Sequence, residues 1–256
     1  MIVRERKDSF ILVEQDCHGR LAEQIMSHWK EELFPGEEDR SSVLTAVRLH
    51  DVGWSPFDKE PFWNDSKQAP YRFTDFPLPS KIVLYRQGID AVETVDAYSA
   101  MLCSEHYSHF VSGGDGGQSD DFLEYERKRR ARLKSAFADF DETVFRQHYG
   151  ILQLGDNFSL YCCVNESGAA KDQEHPFFVN GIPAPESLPG LPDHRLAIQF
   201  LDNRTIAVES FPFDAPFEVS YPYKEVRKED IRKLGFQKAY DQADQHHTEL
   251  RFVPQT

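Results

Sequence analysis

An adjacent pair, His50-Asp51, stands in this chain with His18 upstream and His106, His109 and Asp156 downstream, each inside a stretch whose apolar spacing reads as helix. Neutral imidazole and carboxylate are good ligands for divalent transition ions, and adjacent ligands at one helix end approach the same ion from neighbouring directions. The chemistry these residue types support therefore starts at a metal. A lone histidine is more often a structural residue, which is the expectation for His28, His148, His175, His194, His246 and His247. His148 lies about 12 Å along a helix axis from Asp156, at 1.5 Å per residue, too far to share an ion by default.

The elements that must position these groups follow from periodicity. After a hairpin formed by Met1 to Arg6 and Ser9 to Gln15, Leu21, Ile25, Trp29 and Leu33 recur every four residues and predict a helix from His18 to near Pro35-Gly36. Ser41-Ser42 cap a second helix running to Asp51, on which Val43, Val47, His50 and Asp51 share a face before Gly53 and Pro56 stop it. The pair is thus expected to point inward at a helix C-terminus. The aromatic and proline-rich stretch from Trp54 to Pro79 reads as an ordered loop, either a binding loop or one anchored to the core by its aromatics. Helices are predicted near Ser80 to Gln87, from the cap Asp96 through His106 and Phe110, over about Asp120 to Ala138 after a Gly-rich break at Ser112 to Gly117, and over about Glu142 to Val164.

Beyond Asn165 the composition changes. Pro176, Pro183, Pro185, Pro189 and Pro192 mark a connection; Leu196 to Leu201 and Thr205 to Glu209 form a second hairpin; Phe217 to Tyr223 and Leu250 to Val253 add strands, with a short helix at Lys228 to Asp241 between them. An isolated hairpin is marginal, so the N-terminal one is expected to pair with these C-terminal strands in a small antiparallel sheet. The predicted organisation is mainly α: an N-terminal hairpin plus helical metal-binding core over 1–165, and a proline-rich connection with a β-rich part over 166–256 that packs on it.

Composition narrows the partners. With 29 basic against 43 acidic residues the formal charge is −14, and non-specific attraction to nucleic-acid phosphates is expected to be weak. The dense basic run Arg127 to Arg132 reads as a solvated helix face. No stretch approaches the roughly 20 apolar residues of a membrane span, and the N-terminus lacks a signal pattern, so a cytoplasmic protein is expected. Cys17, Cys103, Cys162 and Cys163 lack zinc-knuckle spacing and read as reduced, buried packing residues. Oligomeric state has no signature here.

The ordered set His18, His50-Asp51 and Asp156 on successive helices resembles the HD-domain superfamily of metal-dependent phosphohydrolases, over roughly residues 10 to 165, and the text Leu49-His50-Asp51-Val52-Gly53-Trp54 looks like a little-characterised bacterial subgroup. The resemblance implies an HD-type helical bundle in which His18, His50, Asp51 and Asp156 hold a divalent ion (Mn, Fe, Mg, Ni or Zn), Asp51 being able to bridge to a second. His106, and after it His109, occupies the part of the chain where dinuclear members place additional histidines, or else touches substrate. Trp54 stands where many members carry a lysine, so Lys59 or Arg20 is left as the phosphate-contacting candidate. A small anionic substrate, a phosphate ester or nucleotide, would be attacked by water activated at the metal, with Asp51, His106 and His109 as the proton-handling groups. Two other classes stand beside it: a di-iron oxygenase, since some HD-type proteins with this ligand order are oxygenases, and a non-catalytic, metal-dependent ligand-binding or regulatory protein.

Overall fold

The computed structural model describes residues 1–112, 117–188, 190–191 and 194–255. Of the segments named above, 113–116 of the Gly-rich break and Pro189 and Pro192 of the connection lie outside the described residues.

The N-terminal hairpin is present as β1 (Ile2–Glu5) and β2 (Ser9–Val13), with Ile2 opposite Val13 and Glu5 opposite Phe10. Helix α1 (Gln15–Met26) follows, then α2 (Arg40–Leu49), the short α3 (Ser55–Lys59), and a two-residue hairpin of β3 (Trp63–Asn64) and β4 (Ala69–Pro70). Four longer helices build the rest of the bundle: α4 (Leu78–Glu93), α5 (Ala97–Val111), α6 (Gln118–Lys134) and α7 (Glu142–Val164). Beyond them come the small β5 (Ile182–Pro183) and β6 (Arg195–Leu196) pair, then β7 (Ile198–Phe200), β8 (Thr205–Val208) and β9 (Phe217–Arg227). Helices α8 (Lys228–Leu234) and α9 (Phe236–Gln242) precede the last strand, β10 (Gln245–Pro254).

The architecture is mixed α/β, which corrects the expectation of a mainly α protein with a small antiparallel sheet. One six-stranded sheet runs in the order β1-β2-β9-β10-β8-β7, and its β10-β8 pair is parallel. The N-terminal hairpin does join the C-terminal strands, through β2 and β9 (Ser9 opposite Arg227, Leu12 opposite Lys224). The sheet is larger than its sequence signal because the first half of β10, with His246 and His247, is exposed and polar, so only Leu250 to Val253 carries alternation. Two helix boundaries also differ. Helix α1 stops at Met26 because the chain turns there, so that Trp29 bridges to Phe213 and Leu33 falls in a separate 3-10 turn. Gly235, at φ 81°, splits the single helix expected over Lys228 to Asp241 into two.

The aromatic stretch after Trp54 is mostly an anchor. Trp54, Phe57 and Phe76 are buried with Tyr85 in a cluster of edge-on rings, whereas Phe62 is exposed. The basic run is solvated at Arg127, Lys128 and Arg132, but Arg129 is buried and clips α6 to α4 through Asp90 (2.5 Å) and Glu93 (2.8 Å), with buried Glu126 at 3.0 Å. Arg129 and Glu126 pair as opposite charges because neither could be buried alone, and Ser104 donates to the Glu126 carboxylate at 2.9 Å.

Helices α1, α2 and α7 approach closely, and small residues beside the candidate ligands permit it. A Cβ on Gly19, next to His18, would overlap the carbonyl oxygen of Arg48; one on Gly155, next to Asp156, would lie 2.9 Å from Met26 Cγ and 3.0 Å from Val47 Cγ1. Glycine inside a helix ordinarily costs about 1 kcal/mol relative to alanine. Here the sign should reverse: Gly19→Ala should lower stability by about 1–3 kcal/mol, as overpacking does. Urea denaturation checks this, and a stabilised variant would show that the α1-α2 contact can relax.

Candidate metal centre

Five polar side chains from four helical segments meet in the interior. His18 comes from the first turn of α1, His50 caps the C-terminal end of α2 with Asp51 following it, His106 comes from α5, and Asp156 from α7. His18 and His50 are fully buried, His106 is 2% exposed, and Asp156 and Asp51 are 8% and 9% exposed. His18 Nε2 lies 3.1 Å from His50 Nε2 and 3.0 Å from Asp156 Oδ1. His50 Nε2 lies 3.5 Å from Asp156 Oδ1 and 3.7 Å from Asp51 Oδ2. Ligand atoms held about 2.1 Å from one ion stand about 3.0–3.4 Å apart, so these spacings are those of neighbouring ligands.

The outer hydrogen bonds decide which atoms face inward. His50 Nδ1 lies 2.7 Å from the Val47 carbonyl oxygen, which can only accept, so that nitrogen carries a hydrogen. Ser159 Oγ lies 3.0 Å from the carbonyls of Gly155 and Asp156 and 2.8 Å from His18 Nδ1; donating to the carbonyls, it accepts from His18. Both Nε2 atoms then turn lone pairs toward each other, an arrangement that needs a cation or a proton between them. Gln15 Nε2 donates to Asp51 Oδ2 at 2.8 Å and orients that carboxylate in the same way.

Charge follows the geometry. Burial opposes the charged form of His50, but Asp51 and Asp156 outweigh it and push the imidazole up to about 9. Burial alone dominates at His106, which is pushed down to about 3 and is therefore neutral. Burial raises Asp51, whereas the histidines around Asp156, His18 and His50 first and then His106, overcome burial there and hold it far below the usual carboxylate range. The two carboxylates thus favour a proton on His50, which any metal bound through that nitrogen would have to displace.

His18, His50, Asp51 and Asp156 are brought together as one group, and His106 joins from the other side. Its Nε2 is 3.7 Å from Asp156 Oδ2, and its buried Nδ1 has no hydrogen-bond partner. His50, His106 and Asp156 form a second set of groups close enough to share an ion, overlapping the set His18, His50 and Asp51. Asp156, with Oδ1 toward His18 and Oδ2 toward His106, is the carboxylate reaching between them, where the family resemblance assigned bridging to Asp51. His109 is exposed at the end of α5 and is not part of either set. His148 stands apart: its Nε2 donates to the Pro35 carbonyl (2.6 Å) and its Nδ1 accepts from Tyr98 Oη (2.7 Å), so it is a structural residue.

The cluster has two faces. His18 and His50 are sealed in the helical interior, while Asp51, His106 and Asp156 form part of the wall of a cavity of about 510 Å³. His109 also lines it, as do Trp54, Phe73, Tyr85 and Tyr149. Its basic side chain is Lys81, from the first turns of α4; Lys59 is exposed elsewhere and Arg20 is paired with Asp16, so neither takes the place proposed for them. Lys81 is pushed down from its ordinary value by burial, with Asp75 opposing.

A family match covers this whole assembly: residues 1–228 fit the family described as protein of unknown function, DUF3891. The chain belongs to that family. No curated protein and no solved structure matches it.

Three supporting residues escaped sequence reasoning. Gln15 is three residues before His18 and Ser159 three after Asp156, so the helical i,i+3 spacing that groups them with the ligands was available. Lys81 carried no such signal, because its place depends on how the aromatic loop folds back.

Two measurements test the centre. Ser159→Ala should weaken metal binding by about tenfold to a hundredfold, as loss of an outer hydrogen bond to a ligand does, in competition against a chelator. At pH 7 metal binding should release about one proton, because His50 is protonated in the metal-free protein and must be neutral as a ligand. Affinity should therefore rise with pH up to about 9 and level off above it. Calorimetry in buffers of different ionisation enthalpy reads the proton directly, and no release would show that His50 is already neutral.

Proposed function

We propose that this protein is a metal-dependent hydrolase, a phosphohydrolase acting on a small phosphate ester or nucleotide. One observation carries the proposal: the buried cluster is closed behind, by His18 and His50, and open in front, where Asp51, His106 and Asp156 border a cavity large enough for a small molecule. A structural ion would be enclosed by its ligands on every side; a catalytic one keeps an accessible position.

The donor set, neutral imidazoles and carboxylates with a lone-pair conflict at its centre, fits a divalent transition ion. His18, His50, Asp51 and Asp156 would hold it, with His106 as a further neutral donor. When bound, such an ion supplies Lewis acidity toward a phosphoryl oxygen and lowers the pKa of water. The chain's own groups do the rest. Lys81 binds the phosphoryl group, Asp51 accepts the proton of the attacking water, and His109, exposed at the cavity rim, donates one to the leaving oxygen. His106, neutral by burial, is a donor of electrons and not of protons.

The overlapping set of His50, His106 and Asp156 supports a second reading, a two-ion centre of the kind used by HD-type di-iron oxygenases. Metal analysis separates the two: one redox-inert ion with phosphate release favours hydrolysis, two irons with oxygen-dependent turnover favour oxidation.

His50→Ala and Asp51→Ala should each lose the bound ion and, with it, phosphate release above background. His148→Ala should keep the ion but lose about 1–3 kcal/mol of stability, because Tyr98 and the Pro35 carbonyl are left without their partner. Equal metal content in all three variants would falsify the assignment.

A further inference from the structure

Nine large hydrophobic side chains stand exposed among the described residues, and three of them gather at one place: Leu78 (38% exposed), Phe110 (52%) and Phe177 (52%) all line the cavity that borders the metal centre. They come from the start of α4, the end of α5 and the connection after α7. Isolated exposed apolar residues need no explanation, but convergence of three from distant stretches on one opening marks a binding surface. Phe73 and Tyr149 carry the apolar wall inward from that rim.

The charge available is small. A divalent ion, less the two carboxylates Asp51 and Asp156 and with Lys81 added, leaves about one positive charge facing the cavity. That offsets most of the charge of one phosphoryl group, about −1.5 to −2 at pH 7, and falls far short of a polyphosphate's. A polyphosphate would bring further charge to a lining whose other donors, Gln15, Thr74, Gln153 and Asn157, are neutral, so those added charges would have no counter-charge beyond Lys81 and the ion.

We propose that the site takes an amphiphilic phosphomonoester, with a single phosphoryl headgroup at the ion and Lys81 and an apolar alkyl or aryl body running out to Leu78, Phe110 and Phe177. The headgroup rests on the hydrolase reading above; the apolar body rests on the rim alone. Hydrolysis breaks the P–O ester bond, places the water oxygen on phosphorus and delivers a proton to the departing alcohol, releasing inorganic phosphate.

The test uses the metal-loaded full chain and phosphonates, whose C–P bond cannot be hydrolysed. Calorimetric affinity should rise about twofold to threefold for each methylene from ethyl- to butyl- to octylphosphonate, as partial burial of a methylene gives. In the double variant Phe110→Ser, Phe177→Ser, with its metal content verified, the octyl-to-ethyl affinity ratio should fall at least tenfold. Phenylphosphonate binding more tightly than octylphosphonate identifies an aryl body, and the reverse an alkyl chain. Equal affinity for ethyl- and octylphosphonate, or tighter binding of adenosine triphosphate than of octylphosphonate, overturns the proposal. Turnover is scored separately with ethyl and octyl phosphate. Length-dependent binding without phosphate release would defeat the hydrolase reading and leave this inference standing, whereas equal turnover of both esters would do the opposite.

Discussion

The structure turns on a single electrostatic constraint: two carboxylates and three imidazoles are buried together, and that group is stable only if positive charge sits among them. Asp51 and Asp156 cannot both be ionised in an apolar interior without a counter-charge, since burying an unpaired carboxylate costs several kcal/mol. Without metal, the proton on His50 supplies it. The inward lone pairs of His18 and His50, fixed from outside by Ser159 and Val47, leave the same place for a cation. The small residues Gly19 and Gly155 beside the ligands follow from that demand, because α1, α2 and α7 must come close enough for the nitrogen and oxygen atoms to share one position.

That constraint also divides the two carboxylates. Asp156 is surrounded by histidines and stays ionised, whereas Asp51 receives one amide hydrogen bond and is raised by burial. A pair of like groups whose environments push them apart is the usual arrangement in sites where one holds charge and the other moves protons. In the proposed hydrolase, Asp51 takes the second task. Histidines divide similarly: His18 and His50 lie behind the centre, His106 at its side, and His109 on the rim beyond it.

Legibility in the sequence tracked how local each signal was. The four principal candidate ligands could be named because each lies on or at the end of a helix with its own apolar period, and helical order is a local property. The position of His50-Asp51 at a helix end was readable from Gly53 and Pro56. The pairing of the first hairpin with the C-terminal strands could be argued from what an isolated hairpin lacks, but the extent of that sheet could not, since the polar half of β10 has no apolar alternation and its parallel partner β8 is set by tertiary packing. Buried Arg129 was read as solvated because a charge run says nothing about which member meets Asp90 and Glu93 across another helix. Lys81 was missed for the same reason, as it reaches the cavity only once the aromatic segment has closed over it.

The aromatic segment also shapes the wall beside the centre. Trp54, two positions after Val52 and three after Asp51, is itself 1% exposed and is locked by Phe57, Phe76 and Tyr85, so the wall beside Asp51 is rigid. Its inner part is apolar, which lowers the local dielectric and strengthens every interaction between an ion, its ligands and an incoming anion. A lysine at this position in place of tryptophan would bring a cation to the anion but would also need solvation that the ring cluster denies. The lysine that lines the cavity is Lys81 on the facing helix, where the side chain is only half buried. A cavity with its positive charge on one side, at Lys81, and an apolar wall at Trp54 on the other divides its lining into a part that can meet an anionic group and a part that can meet an apolar one.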